Sequence, residues 1–294
     1  MEFTLTRDNY YTPEADWAYM SCSQYQSWNE CEAKALAKLQ GRWQDGEKEA
    51  FLVGNYFHTH FESPEAHEKF CKDNFDKIFK TKTVKGKGGQ PDTVVVTGKY
   101  AAYEQADKMI AVAEADPLIK SLIDLPGENE MIMTGLIWGV PWRIRLDKYV
   151  SDTGRMIIDY KTCANISELK WSEELREKVT FIDAYGYMMR AAVYTEIEKQ
   201  NAHSDEDAHF IIIAVSKQDF PDKEVLRLNH RQRYDYELEQ IKKRLPTIQA
   251  IKEGRMKPKR CGVCDYCRST KQLFAIKPYY ALMPDFREAQ EDDY

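Results

Sequence analysis

The chain has 294 residues, of which 43% are hydrophobic and 31% charged, a composition that suits a soluble protein with a substantial core in one large domain or two small ones. Its net charge of −6 excludes a strongly basic binder, but not a site where carboxylates are paired with cations and basic residues gather on one face. No apolar run approaches the ~20 residues of a membrane span and the N-terminus lacks a signal-peptide pattern, so the cytoplasm is expected, where the seven cysteines read as free thiols or metal ligands.

Residues 1–20 are aromatic-rich without a period and read as an extended arm. From Ser23 a capping box with Gln26 opens a helix through Cys31 to Leu39, closed by Gly41; within it Cys31 reads first as a small buried hydrophobe. A second helix follows Asp45, with Phe51, Gly54, Phe57, His58 and Phe61 at helical spacing. His58 beside a buried face suits either a satisfied core histidine or a metal ligand. A short helix starts at Ser63-Pro64. The stretch from Thr81 to Asp92 reads as a mobile basic loop whose Lys82, Lys85 and Lys87 suit phosphate contact or a solvated linker. Helices are expected over 98–114 and 117–123, the second with Asp116 as cap and Pro117 at its first position.

Residues 130–137 read as a strand leading into the stretch from Gly135 to Thr162. There two β-rich runs flank a turn at 151–154 and form a hairpin. Residues two apart on a strand share a face, so Asp159 and Lys161 point one way and Ile158 and Tyr160 the other. Asp147, near the end of the partner strand, adds a second carboxylate. Two carboxylates and an ammonium at a strand end suit a cation site; a solvated strand face with weak ion pairs is the bland alternative.

A long helix over 181–200 follows, with Phe181, Tyr185, Met188, Ala192 and Ile197 on its buried side and Arg190 and Tyr194 stacked four apart. His209 to Val215 reads as a strand buried on both faces, Val225 to Leu228 as an edge strand and 232–252 as a charged helix. Finally Cys261, Cys264 and Cys267 form overlapping C-x-x-C pairs, a strong signal for a soft-metal or cluster site that needs a fourth ligand.

The order of His58 on a helix, Leu146-Asp147, Ile158-Asp159-Tyr160-Lys161-Thr162 and a helix ending near Tyr194 resembles the RecB-like branch of the PD-(D/E)XK nucleases, closest to phage and prophage exonucleases of the exonuclease VIII (RecE) type, over roughly residues 20–272. The resemblance implies an α/β (α+β) fold with a central mixed sheet flanked by helices, organised as an arm at 1–20, a nuclease domain at 21–272 and a tail at 273–294. It implies that His58, Asp147, Asp159 and the Tyr160 carbonyl hold Mg²⁺ or Mn²⁺ and that Lys161 activates water and stabilises phosphorane charge. Arg190 stands where the family has glutamine, four residues before Tyr194, and suits a DNA phosphate. The cysteines resemble those of RecB-like nucleases in which one Cys before the core and three after it hold an iron–sulfur cluster, which would make Cys31, Cys261, Cys264 and Cys267 ligands of a 4Fe–4S cluster, with Zn²⁺ as the alternative.

The implied activity is hydrolysis of linear, double-stranded DNA in phage recombination, with a RecT-like single-strand annealing partner and a homo-oligomeric ring. The alternatives are a single-strand nuclease or endonuclease of the CRISPR-adaptation kind and a non-catalytic DNA-binding subunit.

Overall fold

The computed structural model describes residues 3–46, 48–86, 91–152, 154–172 and 176–282; Lys87 and residues 283–294 of the expected tail lie outside the described residues. The arm is not simply extended. Thr12 and Ser21 accept hydrogen bonds from Ala15 N and Gln24 N, capping α1 (Pro13–Ala18) and α2 (Cys22–Glu30). The cap thus falls at Ser21, in extended backbone, two residues before the expected Ser23. The predicted single helix also breaks at Cys31 (φ −166°, ψ 108°), and α3 (Glu32–Leu39) starts beyond it. Ala33 N donates outside the helix, to Lys259 O at 3.0 Å, so a contact more than 200 residues away replaces the bond an unbroken helix would make.

Next come α4 (Glu49–Glu62), α5 (Pro64–Asp73), capped by Ser63, and α6 (Phe75–Ile78). Residues 81–84 of the expected basic loop belong instead to β1 (Phe79–Val84), which forms an antiparallel ribbon with β2 (Thr93–Lys99), and Lys82 is a strand residue paired with Val95. Then α7 (Ala101–Ala115) and α8 (Pro117–Ile123) follow, with the Asp116 carboxylate accepting from Leu118 N and Ile119 N.

The central sheet starts with β3 (Glu128–Ile137) and β4 (Val140–Val150), joined by Trp138 and Gly139, both at positive φ, as a two-residue hairpin turn requires. It continues through β5 (Met156–Cys163); β6 (Lys170–Ser172) and β7 (Glu177–Val179) form a separate small ribbon. The predicted long helix is α9 (Phe181–Ala184) and α10 (Tyr187–Ala202), separated at Gly186, φ +69°. There Gln26 Nε2 donates to Tyr185 O at 3.0 Å, and a Cβ on Gly186 would stand 2.5 Å from that nitrogen. Tyr185 is consequently exposed rather than buried. The chain ends with β8 (His209–Ser216), β9 (Lys223–Arg227), α11 (Arg231–Lys252) and α12 (Asp265–Ser269).

The strand order is β3-β4-β5-β8-β9, with β8 parallel to β5 and the other pairs antiparallel. Through the α10 crossover this gives a mixed α/β sheet with helices on both faces. One face packs Trp142, Ile144, Leu146, Ile157 and Phe210 with α2, α10 and α11. The other packs Ile158, Tyr160 and Ile213 with α4 and α7. Among the described residues no helix is long and apolar enough to cross a membrane.

The alternation of β4 inverts at Asp147. Even-numbered Trp142, Ile144 and Leu146 face the first cluster, whereas beyond Asp147 it is Tyr149 that does so and Val150 that faces the second. At the same place the β4–β5 ladder stops, its last pair being Lys148↔Ile158. The two strands splay apart beyond it, and Met20 takes up the freed edge of β4: Met20 N donates to Pro141 O and Arg143 N to Met20 O.

Candidate functional site

The splay leaves Tyr160 N without a strand partner, and the Asp147 carboxylate supplies one: Oδ2 accepts from Tyr160 N at 2.8 Å. His58 Nδ1, from α4, lies 3.3 Å from the same oxygen. Lys161 Nζ stands 2.5 Å from Asp159 Oδ2 and 3.8 Å from Asp147 Oδ2, and donates to Tyr160 O at 2.9 Å. Burial alone would raise the Asp147 pKa, but the His58 ring, the Lys161 ammonium and the Tyr160 amide together hold its carboxyl well below the usual range. Asp159 is 1% exposed and its Oδ2, although beside the ammonium, has no hydrogen bond of good geometry.

His58, Asp147, Asp159, Tyr160 and Lys161 are therefore brought to one point, although among the described residues only the four cysteines below place three or more candidate ligand atoms within 4.8 Å of one another. Two carboxylates and a carbonyl are the hard oxygen donors that Mg²⁺ and Mn²⁺ take, and the imidazole adds one borderline nitrogen donor. Asp159 Oδ2, held beside the Lys161 ammonium but without a hydrogen bond of good geometry, keeps a lone pair such an ion would use, so the residues fit the implied metal.

The point opens into a cleft of about 1130 Å³ lined by His58, Asp147, Lys161, Arg190 and Tyr194, among others. Arg190 Nη1 donates to the Tyr194 hydroxyl at 3.3 Å, as their spacing predicted, and Lys161 Nζ lies 5.6 Å from the Tyr187 ring centre. Lys82 and Lys85 are not among the lining residues.

Three residues escaped the sequence reading: Tyr11 and Arg145 in the cleft wall, and Glu130, which is paired with Arg145. Glu130 is buried at φ +56° within β3, and the pairs Asn129↔Lys148 and Met131↔Leu146 set it opposite Asp147. Such strain in a non-glycine residue concentrates at functional sites. Arg145 Nε lies 2.6 Å from Glu130 Oε2, yet burial outweighs the guanidinium and pushes the carboxyl up to about 7. The Arg145 guanidinium also sits 4.9 Å from the ring of Tyr11, which is 68% exposed. Counting back through the Trp138-Gly139 turn would have placed Glu130 opposite Asp147; nothing local announces Tyr11.

On the far side of α3 the four cysteines converge. Cys31 Sγ is 3.6 Å and Cys261 Sγ 3.9 Å from Cys267 Sγ. Cys264 N donates to Cys261 Sγ at 3.3 Å and Cys267 N to Cys264 Sγ at 3.4 Å. Although burial works the other way, such N–H groups draw the Cys261 thiol down to about 6. The buried Glu32 carboxylate accepts from Lys259 N and Arg244 Nη2, each at 2.6 Å, and pins the two ends together.

Residues 21–270 match the profile of a family described as "PDDEXK-like domain of unknown function (DUF3799)". Among solved structures, the chain is similar to a crystal structure from Eubacterium rectale named "Putative exonuclease", with 31% identity and a TM-score of 0.82 over 96% of this chain and 99% of that one. A second structure, named SSO0001, is 11% identical over 79% of this chain and 89% of that one, and its TM-score of 0.29 carries no argument. No curated protein sequence matches.

Proposed function

The chain belongs to the family of PDDEXK-like domains, and from that premise we propose that it is a Mg²⁺- or Mn²⁺-dependent exonuclease that hydrolyses the phosphodiester bonds of linear duplex DNA. The observation that carries this is the meeting of Asp147, Asp159, Lys161 and His58 where β4 and β5 part. The name of the Eubacterium rectale neighbour supports the exonuclease reading over an endonuclease.

His58, Asp147, Asp159 and the Tyr160 carbonyl would hold the metal, which when bound supplies Lewis-acid polarisation of the phosphate and an acidified water. Asp147 has a second task, because accepting from Tyr160 N fixes the strand that presents Asp159 and Lys161. The Lys161 ammonium, aligned by the Tyr160 carbonyl and Asp159, orients the attacking water and offsets charge gathering on the phosphate oxygens. Arg190, steadied by Tyr194, contacts a neighbouring phosphate. A single-stranded product would suit a RecT-like annealing partner; that partner, a ring assembly and a phage recombination setting follow from the same resemblance.

The test is digestion of end-labelled linear and closed circular duplex with Mg²⁺ or EDTA. Loss of linear DNA alone, abolished by EDTA and by Asp159→Ala, is the expected result. Cutting of circles would replace the proposal with an endonuclease, and equal inertness of wild type and variant would leave a DNA-binding subunit.

A further inference from the structure

The cysteine group has a spacing that discriminates between the metals it could hold. All four sulfurs lie within 4.8 Å of one another, and two measured separations are 3.6 and 3.9 Å. Around a single tetrahedral ion with metal–sulfur bonds of ~2.3 Å, the sulfurs stand ~3.8 Å apart by geometry alone. In a 4Fe–4S cluster each thiolate binds a different iron at a corner of the cube, so the sulfurs sit outside the cluster and much farther apart. The space among these four sulfurs is too small for a cluster, and the implied iron–sulfur centre does not fit them.

We infer that Cys31, Cys261, Cys264 and Cys267 form a structural site for one Zn²⁺ ion, which clasps the α2–α3 junction to the segment after α11. Four thiolates with no open position are the donor set of a closed structural zinc site rather than a catalytic one. The two N–H···S bonds within the group disperse thiolate charge, and Arg260 Nη2, donating to the Cys267 carbonyl at 3.0 Å, ties the ends of the C-x-x-C run together. The apolar cluster around the site is small, with Ala33, Ala37 and Tyr266 its only other buried members among the described residues. It is thus a weak tether between segments 236 residues apart, and the ion supplies the closure.

The clasp also bears on the cleft. Lys38 and Leu39 of α3, and Trp43 just after it, line the cleft, and Trp43 packs edge-on against Tyr266 at 5.5 Å, beside Cys267. The ion therefore fixes one wall of the cleft while contributing nothing to the chemistry at Asp159.

The experiment is elemental analysis and visible absorption of the full-length protein purified anaerobically, followed by thiol modification with a mercurial reagent. A colourless protein carrying one zinc per chain, released as four thiols are modified, is expected, with Cys31→Ser and Cys267→Ser each losing the zinc. Since those variants could also misfold, replacement of zinc by Co²⁺ in the intact protein gives a second reading, the visible bands of a tetrahedral tetrathiolate site. Brown protein with iron and acid-labile sulfide, red protein with one iron and no sulfide, or zinc retained after all four thiols are modified would each overturn the assignment. None of these outcomes depends on whether the protein cuts DNA.

Discussion

Two ligand-rich centres lie on either side of α3 and are built by opposite means. At the strand splay, ligands come from the middle of the chain and are held by the sheet itself, so that Asp147 serves the ladder and the site with one oxygen. At the cysteine group the ligands come from the two ends of the chain, and little apolar packing stands behind them. The first site exists because the fold does; the second, on the zinc assignment, would help the fold exist. A set dominated by oxygen donors at the edge of a cleft suits an ion that exchanges and reacts, whereas four soft donors without an opening suit one that stays.

The largest effect that separates them comes from Asp159→Asn. Neutralising the buried carboxylate beside Lys161 should lower kcat by about 10²–10³-fold, the usual cost of removing one electrostatic participant. DNA affinity and zinc content should stay as in wild type. A fall in zinc content measured alongside the rates would show that the two centres are not independent.

Glu32→Ala attacks the other centre. Glu32 is 4% exposed and paired with Arg244, so its removal leaves the Lys259 amide without its acceptor and the partly buried guanidinium with only long bonds to Trp28 O and Asn29 Oδ1, and should cost about 3 kcal/mol in denaturant unfolding. Because the same carboxylate holds Lys259 two residues from Cys261, zinc affinity should fall about 10–100-fold in chelator competition. Unchanged zinc affinity would mean the thiolates need no outer support.

Glu130→Gln probes the strain opposite Asp147 through pH. The Glu130 carboxyl is pushed up to about 7 from an ordinary 4.5, so between those values the unfolded chain loses its proton before the folded one does, and stability falls as pH rises through that window. In metal-free protein the glutamine variant should match wild type near pH 4 and be more stable at pH 8 by up to about 3 kcal/mol. A stability difference that does not vary with pH would mean that burial leaves this carboxylate unpenalised.

The middle of the sheet was legible because its signals are local. Alternation in β4 and β5 and the continuous apolar run of β8 named those strands, and period two put Asp159 and Lys161 side by side. What escaped depends on distant partners. Nothing near Cys31 says that Ala33 N will find Lys259 O, or near Gly186 that Gln26 will meet the Tyr185 carbonyl. The β1–β2 ribbon escaped for a different reason: its strands are largely exposed and so carry no burial pattern to read. His58 lay on a helix whose local pattern allowed a core histidine, and it is its approach to Asp147 that supports a place in the site. The inversion at Asp147 was hidden because a period-two reading assumes the alternation never shifts.

The smallest effect lies at the cleft mouth, where hard-donor chemistry meets an aromatic surface. Tyr11 presents a ring 68% exposed, backed by the Arg145 guanidinium at 4.9 Å, on the strand that two residues later carries Asp147. A nucleobase beside the cleaved phosphate can stack on such a ring, worth ~1–3 kcal/mol per base. Tyr11→Ala should therefore raise KM for DNA about fivefold or more with kcat nearly unchanged, and Tyr11→Phe, which keeps the ring, should behave as wild type. The exposed ring is not a core element, so unfolding should stay where it is. An effect on kcat instead of KM would tie Tyr11 to the reacting phosphate through Arg145 and Glu130 rather than to a base.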